Sequence, residues 1–229
     1  MSSICDLSPL PNIKAVRQEV ISGVRMTYYD VPGDGNCFFH AVAGGFLRSI
    51  NMWKNLKDKH GISLCDRLEA SWVRYVTEHP NEEIIPETHL NHSFFRYIAQ
   101  SIISDEDASL YRFFEPAYFN SSVAEAREGL NVHIGTTCNY ADEWSIRLLN
   151  RYFSGLIKIH VHDEETENWT HVGDDEHQGF LLLSLRRLHY QLLKVEGVFL
   201  SFLVSRMNMQ VSPNRLLARL WGFRDEVIG

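Results

Sequence analysis

The chain has 229 residues, of which 45% are hydrophobic and 12% aromatic, and its formal net charge is −7. This length and composition predict a globular protein with a substantial core and exclude a disordered one. The negative charge disfavours nucleic acids and anionic membrane surfaces as partners, so we expect neither. We expect a single domain that works as a monomer.

The cysteines and the N-terminus bear on where the protein works. The four cysteines have no close pair, which argues against a zinc site built on a C-x-x-C knuckle. The first twenty residues lack the basic start and apolar core of a signal peptide, and the longest apolar runs are too short to span a bilayer. A cytoplasmic, reducing environment is therefore the default expectation.

Apolar spacing and the flanking proline, glycine and capping residues predict the elements in chain order. Up to residue 103 they predict a helix over 11–21, a strand over 24–29, and helices over 38–50, from Ser63 to the His79-Pro80 break and over 92–103. After residue 103 they predict a helix or turn over 105–114, a brief helix over 123–128 closed by Gly129, a loop over 131–140, a helix over 142–153, a strand over 156–161, a polar turn over 162–179, and strands over 180–183 and 188–193. Residues 198–204 are predicted as a strand or a helix, and 212–220 as a helix. Helices mostly in the first half and strands mostly in the second predict an α+β (mixed α/β) domain with one central sheet.

The stretch Asp34-Gly35-Asn36-Cys37 joins the first predicted strand to an apolar helix. Because Pro32, Gly33 and Gly35 punctuate the join, Cys37 falls at or next to the helix N-terminus. Unpaired N–H groups and the positive end of the helix dipole favour a thiolate there, and the same donors can face an oxyanion. The alternative is a buried cysteine in a core helix, where most free cysteines lie. This segment alone does not decide between the two.

A thiolate nucleophile needs a base, and the base needs an orienting acceptor. Of the eleven histidines, His189 is the best placed, because strand alternation puts it on the same face as Gln191. The Gln191 carbonyl could then accept the Nδ1 proton; the alternative is a structural histidine. His40 is expected to pack or to lie at the surface, and the cluster His160-Val161-His162-Asp163 lacks an identifiable third partner for a metal site.

Several blocks of the sequence resemble one known family. Asp34-Gly35-Asn36-Cys37 followed by two aromatic residues resembles the nucleophile motif of ovarian-tumour (OTU) cysteine proteases, which are mostly deubiquitinases. Residues 70–80 are similar to the family's helix that ends at an Asn/His-Pro break, and 140–161 resemble its helix-then-strand block. Residues 180–190 resemble its closing hairpin, which ends in the catalytic histidine followed by an aromatic residue. The resemblance covers about 24–193.

The resemblance implies a papain-like OTU fold, with a central, mostly antiparallel sheet flanked by helices. It implies one catalytic domain over 1–229, with 1–23 as an N-terminal helical extension and 197–229 as a C-terminal extension. Its implied activity is that of a thiol-dependent ubiquitin isopeptidase. Such an enzyme hydrolyses isopeptide bonds at the C-terminal glycine of ubiquitin, or of a ubiquitin-like modifier, with no metal or organic cofactor. The implied partners are ubiquitin or polyubiquitin chains.

The resemblance also implies roles for individual residues. Cys37 would be the nucleophile and His189 the general base. Asp34 would shape the cysteine loop by accepting backbone N–H groups of the turn. Gly35, Asn36 and the N–H groups around Cys37 would form the oxyanion-binding turn.

Two departures from the family pattern affect these expectations. The family usually has Asp or Asn two residues after the histidine, where this chain has Gln191. Gln191 could orient the ring without supplying a charge, or an acceptor such as Asp30 could take its place. The family's usual Trp-Gly is here Tyr140-Ala141, which concerns the substrate channel. Because of Gln191, a catalytically weak or inactive ubiquitin-binding module is the alternative to an active isopeptidase. A cysteine hydrolase that acts on small amides is a further alternative.

Overall fold

A computed structural model of the chain describes residues 14–21, 24–80, 91–114, 121–137, 139–170 and 177–196. The helices are α1 (Cys37–Trp53), α2 (Leu64–Glu78), α3 (His92–Ser101), α4 (Asp105–Phe114), α5 (Val123–Gly135) and α6 (Glu143–Tyr152). The strands are β1 (Ala15–Ile21), β2 (Val24–Tyr29), β3 (Ile157–Asp163), β4 (Asn168–Thr170), β5 (Gly179–Arg186) and β6 (His189–Glu196).

The strands form one six-stranded sheet in the order β1-β2-β6-β5-β3-β4. The β3–β5 pair is parallel and the other neighbouring pairs are antiparallel. The prediction of an α+β domain with a mostly antiparallel central sheet is therefore confirmed. None of the helices in the described part of the chain has the length and apolar character needed to cross a membrane.

Helix α1 lies at the centre of the core, against β5 and β6. Its Phe38, Phe39 and Phe46 side chains are fully buried. Gly45 lets the helix approach the sheet closely, because a Cβ at this position would lie 2.2 Å from Leu181 Cδ1. This packing anchors the helix whose first residue is the cysteine of interest.

Side-chain caps explain why several predicted helices form where they do. Ser63 and Asp66 form a capping box at the start of α2, and Ser122 and Glu125 form a second one at the start of α5. The Asp142 carboxylate accepts the first backbone N–H groups of α6. These boundaries agree with the sequence prediction.

The predicted helix over 11–21 is wrong for residues 15–21, which form β1. This edge strand pairs antiparallel with β2, and the guanidinium of Arg17 lies 3.7 Å from the ring centroid of Tyr28. Pairing with the strand that follows directly in the chain therefore overrides the helical pattern of residues 15–21. Residues 1–13, together with the predicted elements at 198–204 and 212–220, lie outside the described residues.

Two further predicted boundaries are wrong. Helix α5 does not end at Gly129 but continues to Gly135, into the predicted loop. Ala126, Leu130 and Ile134 recur at four-residue spacing and are buried, and this burial outweighs the helix penalty of the glycine. The predicted polar turn after β3 contains the short strand β4, which pairs with the end of β3.

A buried asparagine joins α6 to the sheet. The Asn150 Nδ2 group donates to the Ile159 carbonyl at 3.0 Å, and Asn150 Oδ1 accepts the Ile159 N–H at 2.6 Å. Strand β4 pairs with β3 from Val161 to Asp163, so Ile159 lies before the part of β3 that β4 covers. The asparagine therefore satisfies backbone groups on this side of the strand.

Candidate active site

Cys37 is the first residue of α1 and is 2% exposed. The prediction that this cysteine lies at a helix N-terminus is confirmed. The preceding N-cap, Asn36, makes no side-chain capping bond to the helix. Gly35 has φ +81°, a left-handed conformation that favours glycine and turns the chain into the helix.

The β5–β6 hairpin places His189 beside this cysteine. Arg187 and Leu188 form its two-residue turn, and both have positive φ, as in the tight turns that match strand twist. His189 is the first residue of β6, and the backbone N–H of the next residue, Tyr190, donates to Cys37 Sγ at 3.5 Å. The two predicted catalytic residues are thus brought to one place in the fold.

The His189 ring lies between the cysteine loop and an aspartate. A Cβ on Gly33 would lie 3.9 Å from both Nδ1 and Cε1 of the ring, so this edge faces the loop that leads to Cys37. On the opposite edge, His189 Nε2 lies 2.9 Å from Asp30 Oδ1. The aspartate therefore fixes the ring with Nδ1 available on the side of the loop.

The acceptor of the His189 ring differs from the main expectation. The Gln191 carbonyl was expected to accept the Nδ1 proton, but the acceptor is Asp30 and it lies at Nε2, and Gln191 Nε2 donates to the same Asp30 Oδ1 at 3.2 Å. Burial acts to raise the pKa of Asp30, and the hydrogen bonds from His189 and Gln191 outweigh it, so the pKa falls below its usual value. Gln191 thus holds the Asp30 carboxylate in place by a hydrogen bond, and Asp30 in turn orients the His189 ring.

The pKa of the Cys37 thiol is raised above its usual value. Burial is the largest cause, because it disfavours the charged thiolate, and the negative charge of Asp34 acts in the same direction. Backbone N–H groups, first that of Tyr190, act in the opposite direction. A thiol in this environment needs a neighbouring base to become a nucleophile near neutral pH.

Asp34 holds the turn before Cys37 in shape. Its Oδ1 accepts the backbone N–H of Asn36 at 2.9 Å, and its Oδ2 lies 3.1 Å from His40 Nε2. The prediction that Asp34 accepts a backbone N–H of the turn is confirmed. Burial acts to raise the pKa of Asp34, but the bonds from His40 and Asn36 outweigh it and lower the pKa to about 2. Asp34 therefore stays ionised through the physiological range.

The cluster from His160 to Asp163 carries two histidines and an aspartate on one strand end. In the part of the chain that the structure describes, no group of three or more His, Cys, Asp or Glu side chains is arranged to hold a metal ion. His160 is fully buried, and the ring of His162 stacks on Trp169 with centroids 4.8 Å apart. These contacts are those of packed histidines.

Comparisons with known proteins gave matches among solved structures. No family model matches the chain, and no match was found among curated proteins. An ovarian tumor (OTU) domain solved in complex with ubiquitin matches with 13% identity and a TM-score of 0.42, covering 80% of each chain. The complex of ceOTUB1, ubiquitin aldehyde and UBC13~Ub matches with 16% identity and a TM-score of 0.46, covering 75% of this chain and 80% of the other. The viral OTU domain protease from Dera Ghazi Khan virus matches with 11% identity and a TM-score of 0.36, covering 81% and 99%.

Arg96 of α3 lies outside the motifs that resemble the OTU family, and it was not among the predicted site residues. Its side chain is buried, its Nε donates to Asn36 Oδ1 at 2.9 Å, and its guanidinium also donates to the Gly35 carbonyl at 3.3 Å. The signal that could have found it is a charged residue within an apolar helical stretch, Phe94 to Ile98. A buried charge of this kind needs several partners, and here they include the oxyanion turn.

Proposed function

We propose that the protein is a cysteine protease of the OTU type that hydrolyses isopeptide bonds at the C-terminal glycine of ubiquitin or of a ubiquitin-like modifier. One observation carries the proposal. Cys37 begins a helix and accepts the N–H of Tyr190, whose neighbour His189 is held by Asp30. A nucleophile, a base and an orienting carboxylate in this order make up a catalytic triad. The choice of ubiquitin rests on the resemblance of the sequence motifs to the OTU family.

In the proposed reaction, His189 accepts the Cys37 proton and the thiolate attacks the glycine carbonyl. The tetrahedral intermediate collapses, His189 donates its proton to the departing lysine amine, and the glycine stays on Cys37 as a thioester. His189 then takes a proton from water, which attacks the thioester and releases the free carboxylate and the thiol. Asp30 keeps the ring oriented and stabilises the imidazolium that forms in each step.

The negative charge on the carbonyl oxygen needs donors at the start of α1. The backbone N–H of Cys37 and the side-chain amide of Asn36 are the groups we assign to it. The helix N-terminus adds its positive dipole end, and such preorganised donors are among the largest contributions to acyl transfer.

The burial of the nucleophile favours a narrow substrate. Cys37 is 2% exposed, and we infer that a thin, extended segment is the kind of substrate that reaches its sulfur. A C-terminal glycine has no side chain and fits this requirement. A small amide would also fit, and the test therefore compares the two substrate classes.

A ubiquitin probe with a thiol-reactive C-terminus tests the proposal directly. The wild-type protein is expected to form a covalent adduct at Cys37, and both Cys37→Ala and His189→Ala are expected to abolish it. Binding of ubiquitin without an adduct in the wild type would instead identify an inactive ubiquitin-binding module. Cleavage of a minimal peptide amide as fast as of a ubiquitin conjugate would identify a small-amide hydrolase. A panel of diubiquitin linkages then determines which bond is cut.

A further inference from the structure

We propose that Arg96 is a positioning residue of the oxyanion site, which acts by fixing the orientation of the Asn36 side-chain amide. The inference rests on the proposed function and deepens it. It assigns to a residue of α3 the task of presenting the amide NH2 group of Asn36, rather than its oxygen, to the developing negative charge.

The amide orientation follows from hydrogen-bond chemistry. A guanidinium group has only donors, so the half of an amide that faces it must be the oxygen. Arg96 Nε donates to Asn36 Oδ1 at 2.9 Å, and the NH2 half of the amide therefore points away from the arginine. Asn36 is 4% exposed, which limits exchange of this partner for water. The Asn36 side chain also donates to the Asp34 carboxylate, so one N–H of its NH2 group is held there and we assign the other to the substrate.

The same arginine holds the backbone of the turn. The peptide unit between Gly35 and Asn36 is bonded at both ends, since its carbonyl accepts from Arg96 Nη2 at 3.3 Å and its N–H donates to Asp34 Oδ1 at 2.9 Å. A peptide fixed at both ends cannot flip. The donors at the start of α1 are thereby held before substrate arrives, which is the condition for effective oxyanion stabilisation.

Other bonds keep the guanidinium in place. It donates to the Ile134 carbonyl near the end of α5 and, at 2.8 Å, to the Asn139 carbonyl in the connection to α6. Its carbon atom lies 4.4 Å from the ring centroid of Phe39. The oxyanion turn is thus tied through one side chain to α3, to α5 and to the α5–α6 connection.

The competing interpretation is that Arg96 only holds helices together. The two interpretations differ in which rate constant changes. A positioning role in the oxyanion site lowers the acylation rate, whereas alkylation of Cys37 by iodoacetamide forms no oxyanion and needs only the thiolate. A purely structural role would disturb both reactions together or neither.

The test measures kcat, KM and the iodoacetamide rate for Arg96→Met, Asn36→Ala and the double variant on a ubiquitin substrate. Each single variant is expected to lower kcat by roughly tenfold to a hundredfold, with KM and the alkylation rate within about twofold. The double variant is expected to lose no more than the worse single one, because both changes remove the same donor. Arg67→Met is the matched control, since Arg67 also donates to a backbone carbonyl, that of Tyr152, away from the site. We expect it to lower stability without lowering kcat.

Three outcomes would overturn the inference: full turnover in Arg96→Met, alkylation that falls in step with turnover, or additive losses in the double variant. If Arg96→Met does not fold, Asn36→Ala still decides, because full turnover in that variant excludes the amide as the oriented donor. The wild type separates the two proposals. No turnover or adduct in the wild type contradicts the proposed function, whereas normal turnover in both wild type and variant contradicts only the role of Arg96.

Discussion

Two side chains share the task of orienting His189. Asp30 supplies the charge and contacts the ring, and Gln191 donates to Asp30 rather than replacing it. A carboxylate stabilises the imidazolium that forms during proton transfer, whereas an amide can only orient it. The departure from the family pattern at Gln191 is thus offset by a carboxylate at the end of β2.

This arrangement predicts an order of effects on turnover. We expect His189→Ala to abolish kcat, Asp30→Asn to lower it by about a hundredfold or more, and Gln191→Ala to lower it by less than about tenfold. Steady-state kinetics on a ubiquitin conjugate measure all three. A loss in Gln191→Ala as large as that in Asp30→Asn would mean that the amide orients the ring directly.

The charge of Asp34 predicts a shift in thiol reactivity. Asp34 raises the pKa of Cys37, so its neutralisation in Asp34→Asn should lower that pKa and move the rise of the iodoacetamide rate to lower pH. The asparagine oxygen can still accept the N–H of the turn. Asp105→Asn is the control, because this exposed carboxylate pairs with Arg127 away from the site. An unchanged profile, or one moved to higher pH, would contradict the effect.

At the scale of elements, the junction between α6 and β3 depends on one side chain. Asn150 satisfies both the N–H and the carbonyl of Ile159. Since these backbone groups are buried, loss of the amide leaves two of them without this partner. The helix and the sheet edge are therefore coupled through a polar contact inside the core.

We predict that Asn150→Ala lowers the free energy of unfolding by about 2–4 kcal/mol, because it removes both hydrogen bonds from a buried strand. Urea denaturation measures the loss. Asn55→Ala is the control, since Asn55 is exposed in a turn, and it should change stability by less than about 0.5 kcal/mol. Equal effects of the two substitutions would show that the junction does not depend on Asn150.

The elements that were predicted correctly are specified by capping residues, apolar spacing or glycines within their own stretch of sequence. Helix α2 has a capping box and an apolar stripe within its own residues, and the cysteine loop is marked by its own glycines. Strand β1 was missed because residues 15–21 also fit a helical pattern, and pairing with the next strand, β2, decides against the helix. Asp30 was named only as an alternative acceptor and the contacts of Arg96 were missed, since the partners of both residues lie far away in the chain and only the fold brings them together.

For the molecule as a whole, the carboxylates predict weaker stability in acid. The pKa of Asp34 is lowered to about 2, and those of Asp30, Asp142 and Glu164 are also lowered. A carboxyl whose pKa is lower in the folded state contributes stability above its unfolded pKa of about 4, and this is lost as the pH falls through the folded value.

We therefore expect the urea midpoint to decrease steadily from about pH 4 to about pH 2, the folded-state value for Asp34. Denaturation at constant ionic strength across this window measures it, and Asp34→Asn should show a shallower decrease. A midpoint that stays constant or rises on acidification would contradict the stabilising role of these carboxylates.

The register between β2 and β6, in which Tyr29 pairs with Leu192, has a consequence for biosynthesis. The ribosome makes Cys37 well before His189, and the base and its carboxylate meet only after β6 pairs with β2. Closing so long a loop is slow relative to local helix formation. We expect a newly made chain to carry the Cys37 thiol without its base until β6 is made, and to hydrolyse substrate only after the β5–β6 hairpin docks.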